Sequence, residues 1–100
     1  MLVFNVTFKC APGMRERFLK AITEEGIIDA CRAEDGNFKY DYYIPVDSDD
    51  DLLLIEKWKD ADAVKAHAGQ MHMQRMIELK SEYVTDLILE KYETADSKAG

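Results

Sequence analysis

Leu52-Leu53-Leu54-Ile55-Glu56-Lys57-Trp58-Lys59-Asp60-Ala61-Asp62-Ala63-Val64-Lys65-Ala66-His67 carries the chain from a strand into a helix. Successive strand side chains point to opposite sides. Leu52, Leu54, Glu56 and Trp58 therefore share one face, and Leu53, Ile55 and Lys57 the other. Asp60 can accept a free amide at a helix start, which predicts an N-cap and a helix over 61–68. Gly69 predicts an interruption, with a second helical segment over 71–81. The stretch holds the only tryptophan and one of the two histidines, and His72 follows five residues later.

Working outward, residues 38–45 read as a strand with Phe38, Tyr40, Tyr42 and Ile44 on one face. The short acidic connection to the next strand predicts a hairpin. Glu34-Asp35-Gly36-Asn37 is a turn signal. Upstream, Met14, Phe18, Ala21, Ile22 and Ile28 recur at helical spacing and predict one helix over 14–32, in which Gly26 weakens the middle but need not end it. A first strand is expected over 2–9, closed by Ala11-Pro12-Gly13, and a last one over 84–92. Residues 1–93 form the expected single domain and 94–100 a polar tail.

The order β-α-β-β-α-β predicts an α+β, ferredoxin-like fold with a four-stranded antiparallel sheet. Two helices cover only one face of such a sheet. Strands one, three and four nevertheless carry apolar residues on both faces. The uncovered face predicts a second copy of the chain, a homodimer.

The chain has 100 residues, 47% hydrophobic and 33% charged, which fits one globular domain. Its net charge of −7 argues against nucleic acid or an anionic membrane as partner. No apolar run approaches the ~18 residues of a membrane span. The start shows no signal-peptide pattern, so a cytoplasmic chain is expected. Cys10 and Cys31 then stay reduced and read as small buried hydrophobes.

Histidine is the side chain best suited to proton chemistry near neutral pH, so His67 and His72 are candidates. Five residues of unbroken helix turn the chain roughly 500°, leaving the pair about 140° apart. A shared metal site would need the Gly69 break to re-aim one of them, and no third ligand stands at a recognised spacing, so no metal is expected. Glu56 shares its strand face with apolar neighbours; burial there raises a carboxyl pKa and suits a general base. Trp58 suits the core, a flat aromatic pocket, or both. Asn5 sits mid-strand, where an amide is unexpected; it either faces solvent or orients a ligand oxygen. Met71, Met73 and Met76 cluster around His72, as core or beside a flat ligand.

Glu56-x-Trp58, the alanine-rich helix start ending in Ala66-His67, and then His72 resemble the antibiotic biosynthesis monooxygenase domain. So does 32–40, with Arg32, Glu34, the turn Gly36 and Tyr40. The resemblance covers about residues 1–92. It implies a dimeric α+β barrel and, as in several members, oxidation of a small aromatic quinol or polyphenol by O2 without metal, flavin or other cofactor. It implies pocket positions at Asn5, Tyr40, Glu56, Trp58, His67 and His72, to which the methionine cluster adds Met76. His67 would take the phenolic proton, Asn5 and Trp58 would hold the ring, and Glu56 and His72 would support. Relatives also include an isomerase of phosphorylated autoinducer-2 and haem-degrading enzymes that use Asn, Trp and His, and these remain alternatives.

Overall fold

The computed structural model describes residues 1–95. Alternation in β1 (Leu2–Cys10) puts Leu2, Val6, Phe8 and Cys10 on the buried side. α1 (Arg15–Glu24), α2 (Ile27–Arg32), β2 (Asn37–Tyr43), β3 (Asp51–Trp58), α3 (Ala61–Ala68), α4 (Met71–Tyr83) and β4 (Val84–Glu93) follow. The strands form one antiparallel sheet in the order β2-β3-β1-β4, as the ferredoxin-like reading requires. Val6 lies opposite Leu54 and Leu89, and Phe8 opposite Leu52 and Leu87. These residues share one sheet face. Leu87 and Leu89 stay exposed there, whereas Val6, Phe8, Leu52 and Leu54 are buried with Phe18, Ile22, Met76 and Leu79 from the helices. Burying each such side chain contributes about 1.5–3 kcal/mol.

Each expected helix is two helices. Gly26 takes φ +74°, and its amide bonds back to the Thr23 carbonyl at 3.1 Å. That left-handed residue ends α1 and starts α2, so the single helix over 14–32 is corrected. The break after α3 falls at Gly69, as expected, and Asp60 caps α3 by accepting the Ala63 amide at 2.9 Å. In β2 a bulge lies between Asn37 and Lys39. Phe38 falls on it and is 49% exposed, and Ile44 lies beyond the strand end; neither shares the inward face with Tyr40 and Tyr42. The extra residue lets Tyr40 pair with Glu56. The expected tail over 94–100 lies outside the described residues from 96 onward.

The described helices pack against a single face of the sheet. Val3, Leu53, Ile55, Ile88 and Tyr92 project from the other, with Ile88 47% and Tyr92 48% exposed. No helix among the described residues is long and apolar enough to cross a membrane.

Gly36 joins α2 to β2 at φ +84°, and a Cβ there would lie 2.7 Å from Ala63 Cβ. At Gly26 a Cβ would meet nothing within 4 Å. Gly26→Ala is therefore expected to cost about 1 kcal/mol, from left-handed strain alone. Gly36→Ala adds overpacking and is expected to cost about 2–4 kcal/mol. Urea denaturation of both variants checks this ranking; equal losses would contradict it.

Candidate active site

The chain between α3 and α4 decides the site. Gly69 bonds its amide to the Ala66 carbonyl at 3.2 Å, and Gln70 is extended at φ −74°, ψ 146°. The two helices consequently point differently. His67 ends one and His72 starts the next, and both reach the same oxygen. His67 Nδ1 and His72 Nε2 each lie 2.7 Å from Glu34 Oε2. The straight-helix separation of the two histidines is thereby corrected: the break re-aims them, and Glu34 and Cys31 complete a cluster with ligand atoms all within 4.8 Å of one another. An ionised carboxylate only accepts hydrogen bonds, so each ring nitrogen facing it carries its proton. The side chains of Glu34 and His67 are 8% and 9% exposed, that of His72 21%.

His67 then presents Nε2 toward Glu56, 3.8 Å from Oε1. The same Oε1 accepts the indole N–H of Trp58 at 2.9 Å. The Trp58 ring lies against the imidazole, centroids 4.5 Å apart, and the Tyr40 ring meets it edge-on at 5.9 Å. Arg32 fixes the neighbouring backbone by donating to the Tyr40 carbonyl at 3.0 Å.

A cavity of about 220 Å³ opens between the sheet and α4. Aliphatic and aromatic side chains of β1, β3 and β4 line it with Met73 and Met76 of α4. Its polar lining comes from Tyr40, Glu56 and Lys80. Tyr40, Glu56 and Met76 thus line one cavity. His67 and Trp58 stand behind Glu56 and do not line the cavity, and His72 sits with Glu34. Asn5 is not brought to this place. It pairs with Ile55 and Glu90 on the uncovered sheet face, because its odd register in β1 turns it away from the helices. Glu34 and Lys80 join the site from positions that read in sequence as a turn and a helix surface.

Burial pushes the Glu56 carboxyl above its ordinary value, with the Trp58 N–H and the His67 ring partly opposing. Desolvation also raises the Tyr40 and Tyr42 phenols and pushes the Cys31 thiol up to about 12. The Tyr42 hydroxyl is buried without a hydrogen-bond partner among the described residues. The arrangement offers an apolar slot, one carboxylate of elevated basicity at its wall, and a histidine behind that carboxylate.

A one-sided ferredoxin-like sheet with a cavity between sheet and helices defines the class, and the chain belongs to the antibiotic biosynthesis monooxygenase family, whose model matches residues 1–79. It is 34% identical over 77 residues to the Bacillus subtilis (strain 168) protein described as "Putative monooxygenase YcnE", covering 77% of this chain and 79% of that one. Two solved structures share the fold. PA3566 from Pseudomonas aeruginosa has a TM-score of 0.84 at 21% identity, over 95% of this chain and 94% of that one. Rv0793 from Mycobacterium tuberculosis has a TM-score of 0.83 at 25% identity, over 98% of each chain.

The raised Glu56 pKa has a stability consequence. The folded state holds this proton more tightly than the unfolded chain, whose carboxyl titrates near 4.5. The stabilisation is full below that pH and is lost as pH rises through the folded-state value. Glu56→Gln keeps an acceptor for Trp58 but does not ionise. Thermal denaturation between about pH 4 and pH 8 should show the variant gaining on the parent as pH rises. A constant difference in Tm would contradict the assignment.

Proposed function

We propose that the protein is a cytoplasmic homodimeric monooxygenase that oxidises a small aromatic quinol or polyphenol with O2. The carrying observation is that Glu56 is the ionisable acceptor on the wall of an otherwise mainly apolar cavity. A quinol must lose a phenolic proton before its ring gives electrons readily to oxygen. A carboxylate of raised pKa beside a mainly apolar slot suits that transfer. The cavity's size, below the roughly 300–1,000 Å³ of drug-sized pockets, suits a one-ring substrate and argues against a haem macrocycle. A phosphorylated substrate would meet Lys80 as the cationic lining, set against Glu56.

In this reading the base role passes from His67 to Glu56. Met73, Met76, Leu54 and Leu89 pack the ring, and Tyr40 offers its hydroxyl to a ring oxygen. Trp58 steadies the carboxylate through its N–H. When its ring carries a proton on both nitrogens, His67, held by Glu34, favours the ionised form of Glu56 by its charge. With a hydroquinone, one atom of O2 enters the hydroxyquinone product and the other leaves as water, the quinol supplying all four electrons. Asn5 belongs to the face that meets the second copy.

Oxygen uptake with a hydroquinone panel tests the proposal. Uptake should exceed the uncatalysed rate, and kcat/KM should rise with pH at a midpoint above the usual carboxylate range. Glu56→Gln should remove that limb and lower kcat/KM by roughly 10²–10⁴-fold. His67→Ala should lower the rate less and move the midpoint upward. Uptake at the uncatalysed rate, or an unchanged Glu56→Gln, would refute it.

For the dimer, Val3, Leu53, Ile55, Ile88 and Tyr92 supply the apolar surface that a two-fold partner buries. Sedimentation at micromolar concentration should give a dimer. Ile55→Lys should weaken it roughly tenfold or more, by placing a charge in the buried face. A stable parent monomer would count against it.

A further inference from the structure

We propose that Cys31, Glu34, His67 and His72 form a closed four-ligand site for a divalent transition metal, Zn2+ being the ion that fits this donor set. The four donors come from the end of α2, the turn after it, the end of α3 and the first turn of α4. Their ligand atoms all lie within 4.8 Å of one another, and Cys31, Glu34 and His67 are nearly enclosed. One thiolate, one carboxylate and two imidazoles make a borderline-soft set that suits Zn2+ better than Ca2+ or Mg2+.

The spacing supports the same reading. Structural zinc sites commonly follow C-x2–4-C with H-x3–5-H. This chain has Cys31-x2-Glu34 and His67-x4-His72, with glutamate in the place of the second cysteine. The pattern escapes a sequence scan because glutamate hides the first half, and because only the break at Gly69 and Gln70 brings the two histidines together.

The cluster also has the surroundings a metal-bound histidine needs. A ligating imidazole is ordinarily fixed by a carboxylate on its other nitrogen. Here Glu56 Oε1 stands 3.8 Å from His67 Nε2, and Trp58 orients that carboxylate. Metal binding at Nδ1 would move the His67 proton to Nε2, facing Glu56. The His72 proton would move to Nδ1, and Cys31 would release its proton. The two 2.7 Å nitrogen–oxygen contacts would open to about 3.3 Å, the edge of a tetrahedron with bonds near 2.0–2.1 Å. Four protein ligands leave no open position, so the ion would tie α2, α3 and α4 together rather than activate a ligand. This inference does not depend on the reaction in the cavity.

The test uses the full chain, treated with chelator and dialysed, then titrated with Zn2+ against a colorimetric chelator. One ion per chain is expected, with a rise in Tm. Cys31→Ser and His72→Gln should each weaken binding roughly 100-fold or more. Glu56→Gln should weaken it about 10–100-fold by removing the carboxylate that faces His67 Nε2. Cys10→Ser, on β1 outside the cluster, should leave it unchanged. Co2+ added to the parent should give the charge-transfer absorption of a cobalt–thiolate bond, a readout that needs no variant. Absence of stoichiometric Zn2+ binding at tens of micromolar, or of the cobalt–thiolate band in the parent, would overturn the proposal. So would full binding retained by both Cys31→Ser and His72→Gln.

Discussion

One oxygen atom holds the helical layer in place around the site. Glu34 Oε2 accepts from His67 and from His72, and so ties the turn after α2 to both sides of the α3–α4 break. Hydrogen bonds to a charged group contribute about 1.5–3 kcal/mol each, and a nearly buried carboxylate without partners would cost more than it contributes. The constraint runs in both directions. The histidines hold the turn that follows α2, and Glu34 holds the orientation of His67. That orientation leaves His67 Nε2 beside Glu56 at the cavity wall.

Glycine makes this arrangement reachable. Gly26 turns α2 away from α1 through a left-handed residue, and the segment at Gly69 separates α3 from α4. Gly36 lets the turn after Glu34 approach Ala63 closely enough to exclude a methyl group. A side chain at Gly36 would push α3 outward, and His67 with it. The site is thus assembled by backbone turns as much as by the groups that do chemistry.

The sheet adds a second constraint. With helices on one face, every strand residue is assigned either to the cavity side or to the uncovered side by its register. Glu56 and Trp58 fall on the cavity side, and Asn5 and Ile55 on the other. That parity puts Glu56, not Asn5, on the cavity wall. It also leaves Val3, Leu53, Ile55, Ile88 and Tyr92 projecting from the uncovered face.

Periods of two and of 3.6 and local capping are written in neighbouring residues. The four strands, their two-faced apolar pattern and the break at Gly69 were therefore legible in the sequence, as was the family through its motifs, but the break at Gly26 was not. The family resemblance, not local periodicity, grouped Tyr40, Glu56, Trp58, His67 and His72 in one pocket, and it grouped Asn5 with them. It took the packing of the whole chain to bring Glu34 to the histidines, to set His67 and Trp58 behind Glu56, to turn Asn5 to the far side and to carry Lys80 to the cavity. The angle across the break at Gly69 and Gln70 and the partner of each strand are long-range outcomes. They are set by packing between residues more than thirty positions apart, which no local pattern encodes.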